Sequence, residues 1–123
     1  MSKASRNKGQ EGEREVCKLL GNAVGLTLNR TLDQTRDGGC DIICGDWAVE
    51  VKRQERLNLK DWWGQAVHQA KAIGKHPVLF YRQSRDTWKV VMPFDLDTDP
   101  LKYWVHGDME LFLERIGSVH ADN

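Results

Sequence analysis

The chain has 123 residues and a mass of 14.1 kDa, which fits one compact domain and excludes two of ordinary size. Apolar types make up 40% and charged types 29%, a balance that excludes a disordered or collagen-like chain. Eighteen basic residues offset eighteen acidic ones, but residues 1–89 carry 16 against 11 (net +5) and residues 90–123 carry 2 against 7 (net −5), so only the first part offers phosphates a cationic face.

Met1 to Gln10 is polar and basic, with Lys3, Arg6 and Lys8, and reads as a flexible arm over 1–9. It precedes one domain over 10–123 that ends in an acidic C-terminal segment. The start has no signal-peptide core, and no apolar run approaches the roughly 20 residues of a membrane span. A cytoplasmic protein with no membrane partner is expected. From Gln10 to Ala23 the apolar residues recur at helical spacing (Val16, Cys17, Leu20, then Val24), and Gly25 stops the pattern. Leu26 to Arg30 alternates as a short strand, and residues 31–39 read as a loop.

Residues 40–44 and 47–52 are two β-like runs separated by Gly45-Asp46, the signal of a tight hairpin. A second helix fits 58–74, where Leu59, Trp62, Trp63, Ala66, Val67, Ala70 and Ile73 form an apolar stripe and Gly74 ends it. Val78 to Arg82 reads as a buried strand and Thr87 to Met92 as another. An acidic loop follows over 93–100, then a short helix near Met109 to Ile116. The expected order is α-β-β-β-α-β-β-α: an α/β fold with a mixed central sheet flanked by helices.

Three cysteines are too few for a disulfide scaffold. Cys40 and Cys44 stand four strand steps apart, about 13 Å, too far for a bridge or a shared zinc ion. With Cys17 in a helical apolar pattern, all three read as reduced thiols packed as small hydrophobes. The four histidines show no metal-ligand spacing, and no phosphate-binding glycine loop or nucleophile elbow is present.

The hairpin carries the chemistry. With Gly45 and Asp46 as its turn, Cys44 pairs with Trp47, Ile43 with Ala48, Ile42 with Val49, and Asp41 with Glu50. Opposed residues share a face with Cβ atoms about 5 Å apart, so the two carboxylates repel unless a cation lies between them. A hard divalent ion with oxygen ligands suits that place. Trp47, Val49 and Val51 take the buried face, and Ala48, Glu50 and Lys52 the other. Lys52 then lies beside Glu50, where it can hold and polarise a water. A solvent-facing Glu–Lys pair is the plain alternative, and the opposed Asp41 weighs against it. Glu13 falls three and four residues before Val16 and Cys17, on the apolar face of the first helix, whereas Glu11 and Glu15 face solvent more easily. A buried carboxylate needs a partner or a metal; a partly exposed place near the helix end is the alternative.

In order, Lys8-Gly9, Glu13-Arg14-Glu15, Arg30, Asp41-Ile42 and Glu50-Val51-Lys52 resemble the PD-(D/E)XK nuclease superfamily, with its restriction-endonuclease-like core. The set, over residues 8–92, is most similar to the archaeal-type and phage-encoded Holliday-junction resolvases. The resemblance implies a metal-dependent endonuclease that hydrolyses DNA phosphodiesters and acts on branched or four-way DNA. It implies Mg2+ (or Mn2+) held by Asp41, Glu50 and the Val51 carbonyl, with Lys52 orienting the attacking water. Glu13 would assist the metal or its water, and Arg30 would contact the scissile-strand phosphate. Cys40 stands where the superfamily motif has its proline.

Some families of this superfamily place a glutamine near the metal from the following helix. Gln65 is the candidate here, with Gln69 on the same helical side. Arg53, Arg56 and Lys60 follow Lys52 and are candidate phosphate contacts, a solvated basic face being the alternative. Two symmetric incisions in a four-way junction imply a two-fold homodimer. Trp62 and Trp63 read as core or subunit-interface anchors rather than base-stacking residues. Two rivals remain open: a restriction- or repair-type nuclease of the same fold, and a DNA-binding module without chemistry, against which Asp41, Glu50 and Lys52 speak.

Overall fold

The first helix, α1, spans Lys3–Val24 and ends at Gly25, whose φ of 73° allows the Leu26 N–H to return to the Gly21 carbonyl at 3.0 Å. The computed structural model describes residues 3–31 and 41–121, with side chains over 8–31 and 41–116. α1 thus begins near Lys3 rather than Gln10, and the backbone expected as a flexible arm is helical from Lys3 onward. Residues 3–9 include no proline, and their one glycine, Gly9, costs only about 1 kcal/mol of helix propensity.

The strand expected at 26–30 does not form; Arg30 alone makes a bridge, to Ile42. Leu26 is exposed and only Leu28 packs against the core, so this stretch has too little to bury. Cys40 and the loop over 32–39 lie outside the described residues.

β1 (Ile42–Cys44) and β2 (Trp47–Arg53) form the expected hairpin, with Gly45 at φ 59° in its turn. The register is Ile42 to Val49, Ile43 to Ala48 and Cys44 to Trp47. α2 (Leu59–Ala72) crosses over to β3 (His76–Arg82), which runs parallel to β2. β4 (Lys89–Pro93) and β5 (Trp104–Asp108) follow as antiparallel neighbours, and α3 (Met109–Ala121) closes the chain. The sheet order is β1-β2-β3-β4-β5, a mixed sheet of the expected α/β class. β5 is an addition to the expected elements. Its Gly107 and Asp108 are poor strand formers, and it gains its place at the edge by pairing with β4 alone.

Three layers result. Val16 and Leu20 of α1 and Phe112 and Ile116 of α3 pack on Val49, Val51, Phe80 and Met92. On the opposite face, Trp62, Trp63, Ala66 and Val67 of α2 cover Leu79, Tyr81 and Val91, and Ala70 covers Ala48. Both faces of β2 are therefore buried, not only the one carrying Trp47. Trp62 and Trp63 are core residues. Cys17 and Cys44 are free thiols, Cys44 buried and Cys17 half-buried. Among the described residues no helix is long and apolar enough to cross a membrane.

α1 is held against the sheet at its N-terminal half. A Cβ on Gly12 would stand 3.1 Å from the Arg53 Cβ and 3.3 Å from the Trp88 ring, so only glycine gives this approach without displacement. Glu15, expected to face solvent, instead receives hydrogen bonds from Arg82 Nη2 at 3.0 Å and Trp88 Nε1 at 3.2 Å. Arg82 ends β3, the middle strand, and Trp88 immediately precedes β4, so this clamp ties α1, and with it Glu13, to the centre of the sheet.

Candidate active site

At the mouth of the hairpin the ladder departs from simple continuation. Ile42 pairs with Val49, yet the Asp41 N–H also bonds the Val49 carbonyl, at 3.0 Å. Two residues thus oppose one, as in a β-bulge. Asp41 does not sit directly across from Glu50 as the extended register predicted. Its side chain turns onto the open edge of β2, where Oδ2 accepts the Val51 N–H at 2.8 Å. The two acids meet nonetheless: Glu50 lies within hydrogen-bonding reach of the Asp41 carboxyl. A strand residue points its N–H and C=O to the same edge, so the Val51 carbonyl faces the Asp41 side as well.

Glu50 is the one buried charged residue among those described, with 4% of its surface exposed. Its Oε2 is buried without a hydrogen-bond partner. Burial first, then the Asp41 carboxyl, pushes its pKa up to about 10; the Lys52 ammonium opposes this, and Glu13 adds to it. Such a group is held at a cost unless something cationic reaches it. Lys52, two residues along the strand on the same face, is half-buried and close enough for its charge to act on Glu50.

Glu13 arrives from α1. Its Oε1 accepts from Arg30 Nε at 2.6 Å, and both side chains are about four-fifths buried (20% and 21% exposed). Burial raises the Glu13 pKa, the Arg30 hydrogen bond opposes it, and the Asp41 charge raises it further. Asp41 therefore acts electrostatically on both Glu13 and Glu50. The bridge to Ile42 and the Thr31 N–H bond to the Asp41 carbonyl (2.9 Å) bring Arg30 to this edge. Asp41, Glu50, Val51, Lys52, Glu13 and Arg30 are thus gathered in one place.

The donor set fits a hard divalent ion. Among the described residues no three His, Cys, Asp or Glu side chains converge as a metal cluster. Asp41 and Glu50 nonetheless stand within reach of each other, and Glu50 Oε2 is buried without a partner. Mg2+ is commonly bound by one or two carboxylates together with substrate phosphate and water, rather than by a full protein cage.

The other candidates scatter. Arg53 lies on the α1 face, bound to Glu11 at 2.9 Å and near Glu15 at 3.9 Å, so its guanidinium is engaged inside the protein. Arg56, Lys60 and Gln65 are exposed, Arg56 in the connection before α2 and the other two on that helix. Gln69 is half-buried, and its buried Oε1 has no partner.

A basic groove that the sequence reading passed over lies beside Arg30. About 360 Å3 in volume, it is lined by Arg14, Lys18, Asn22 and Asn29 as well as Arg30, with no acidic residue. The signal was present as Arg14 and Lys18 one helical turn apart, next to Glu13, but nothing in the sequence said that the 26–30 segment would fold back to form the second wall.

Comparison with known proteins gives a family and a fold. The family described as "phage putative PDDEXK endonuclease" matches residues 4–102. Hjc of Archaeoglobus fulgidus, a Holliday junction resolvase from an archaeal hyperthermophile, has a similar fold. The TM-score is 0.50 at 24% identity, over 63% of this chain and 70% of that one. No curated protein matches the sequence. With the match running from α1 through the hairpin and on past β4, this chain belongs to the phage PDDEXK endonuclease family.

Proposed function

We propose that the protein is a divalent-metal-dependent endonuclease that hydrolyses DNA phosphodiesters at branched structures, with the four-way junction as its preferred substrate, and that it works as a two-fold homodimer. The observation that carries this reading is the partnerless Glu50 oxygen, buried within reach of Asp41 and beside Lys52. Asp41, Glu50 and the Val51 carbonyl would hold Mg2+ or Mn2+, which supplies charge stabilisation at the phosphate when bound. Lys52 donates hydrogen bonds to a water and aligns it for attack on phosphorus, opposite the bond that breaks. Glu13 holds Arg30 by Nε, leaving the terminal guanidinium nitrogens to grip a phosphate oxygen.

DNA as substrate is supported by the charge distribution and by the basic groove that runs up to Arg30. Lys18 is exposed, lies outside the carboxylate cluster and makes no ion pair among the described residues. Lys18→Glu is expected to weaken DNA binding for all sequences alike. The slope of log affinity against log salt should fall by about one phosphate contact or more. An unchanged slope in a fluorescence-anisotropy salt titration would remove Lys18 from the DNA path.

The deciding experiment is magnesium-dependent cleavage of matched four-way, flap and linear DNA, with Glu50→Ala as control. Preferential, symmetric cutting of the four-way substrate is expected. Equal cutting of linear duplex would favour a restriction- or repair-type nuclease, and DNA binding with no cleavage in either Mg2+ or Mn2+ would favour a binding module.

A further inference from the structure

Between β3 and β4 the chain reverses at Gln83 to Asp86, and the Asp86 N–H closes this turn on the Gln83 carbonyl at 3.2 Å. Arg85, third in the turn, has φ 64°, and among the described residues it alone is a non-glycine residue in the left-handed region. Such a place ordinarily takes glycine or asparagine, because a Cβ there crowds the backbone. The chain therefore sustains an arginine where a smaller residue would rest at lower cost.

A neighbouring loop braces the turn. Glu55, in the connection between β2 and α2, accepts the Ser84 N–H with its carboxylate at 2.8 and 3.2 Å. Its carbonyl accepts Gln83 Nε2 at 2.7 Å. These bonds hold the backbone on either side and leave the arginine side chain out. Within residues 82–89, Arg82 is bound to Glu15 and Lys89 to Asp86. Arg85 is exposed and makes no ion pair among the described residues.

From these observations we infer that Arg85 is a DNA-backbone contact, gripping a phosphate of the duplex arm about half a helical turn or less from the cut. The inference rests on the DNA-nuclease reading above and adds a residue that places the substrate from outside the carboxylate cluster.

Position is the first support. β2 and β3 are parallel with Lys52 beside Tyr81, so the loops that follow both strands leave the sheet at the end where Lys52 stands. Neighbouring strands lie about 4.8 Å apart, and the four residues from Tyr81 to Arg85 span at most about 14 Å. The Arg85 backbone is then within roughly 15 Å of that of Lys52, against ~34–36 Å for a full turn of duplex. A strand whose phosphate reaches Lys52 thus carries its near neighbours past the turn.

Charge is the second. β4 runs antiparallel to β3, so the acidic loop with Asp95, Asp97 and Asp99 lies at the far end of the sheet. The acids that do stand near the turn are engaged. Glu55 holds Ser84 and lies 3.7 Å from Lys8; Asp86 holds the Thr87 N–H at 2.8 Å and Lys89 at 2.7 Å. Asp108, beside Lys89 in register, accepts the Leu111 N–H at 3.2 Å. Arg85 and the exposed Arg56 of the bracing loop are left as cations without an ion pair among the described residues. A cation on a pre-set turn also loses less freedom on binding than one on a slack loop.

Fluorescence anisotropy of a labelled four-way DNA, with the full chain and no divalent metal, tests the contact. Arg85→Gly should melt no lower than the wild type, since the strain is relieved. It should nevertheless raise the dissociation constant about threefold or more near 0.1 M salt and lower the salt slope by about one. Arg85→Lys should restore the slope. Uncharged methylphosphonate linkages about three to six positions from the cut should weaken the wild type and leave Arg85→Gly nearly unmoved. A glycine variant that binds like the wild type would overturn the inference, and so would one that melts much lower, since Arg85 would then be holding the turn. Equal weakening of both proteins by the methylphosphonates would also overturn it, because Arg85 would then act only by general attraction. A wild type that binds no DNA would instead remove the reading beneath it, and the inference with it.

Discussion

Glu50→Gln is expected to raise the melting temperature of the metal-free protein and, in the same variant, to abolish metal-dependent cleavage. Glu50 has an ordinary pKa of 4.5, lifted in the fold to about 10 by burial and then by Asp41. A carboxyl raised in this way stabilises the fold fully below pH 4.5, and that contribution is lost as pH climbs toward 10. At pH 8, between those two values, the metal-free wild type folds only by keeping on Glu50 a proton that the unfolded chain has released, and Glu13, raised by burial, acts in the same direction. Glutamine needs no such proton, and its amide N–H can donate to the Asp41 carboxylate in place of the protonated carboxyl. Replacing buried ionic groups with neutral ones has stabilised other proteins by about 1–4 kcal/mol, and a gain in that range is expected here. Added Mg2+ should raise the melting temperature of the wild type by mass action and leave the variant nearly unmoved. Cleavage should fall by about 10²–10³-fold or more, the scale of losing a principal electrostatic stabiliser. Melting curves at pH 6 and pH 8, with and without Mg2+, decide it. A variant less stable than wild type at pH 8 without metal would mean that Glu50 is not a strained acid.

What the sequence disclosed and what it hid follow from the range of the interactions. The hairpin was legible because Gly45-Asp46 sets a turn, and the turn sets the register of the three pairs that follow it. Glu50, Lys52 and Asp41 were legible from that register, yet the detail at Asp41 was not. Whether its N–H follows the ladder or doubles up on the Val49 carbonyl depends on the Arg30–Thr31 segment lying alongside, a contact from outside the hairpin. Arg53 reads as one of a basic run in the sequence. Its alternation along β2 turns it to the face opposite Lys52, where α1 waits with Glu11 and Glu15. β5 was hidden because an edge strand with one half-buried valine and a glycine has almost no pattern of its own. Glu15 was hidden for the converse reason: its partners, Arg82 and Trp88, are 67 and 73 residues away.

Glu15 also links the fold to the site, and Glu15→Ala is expected to cost both stability and rate. The carboxylate receives three hydrogen bonds from Arg82, one from Trp88 Nε1, and lies 3.9 Å from Arg53. Arg82 is only 12% exposed, so alanine would leave a poorly hydrated guanidinium without its anion, whereas Arg53 keeps Glu11 at 2.9 Å. Removing one partner of a buried pair costs about 3–5 kcal/mol; Glu15 is itself 36% exposed, so water recovers part of this and about 2–3 kcal/mol is expected. For a chain of this size that is a fall in melting temperature of roughly 8–15 °C. Glu15→Gln keeps an acceptor for the indole and for one Arg82 nitrogen and should lose about half as much. Because Glu13 lies two residues earlier on the same helix, the loss reaches the site. At a temperature well below its melting point, Glu15→Ala should still bind DNA but cleave it several-fold more slowly, with glutamine restoring most of the rate. Wild-type melting in the alanine variant would show that the carboxylate merely rests against Arg82. An unaltered rate at reduced stability would show that Glu13 finds its place by the Gly12 contact alone.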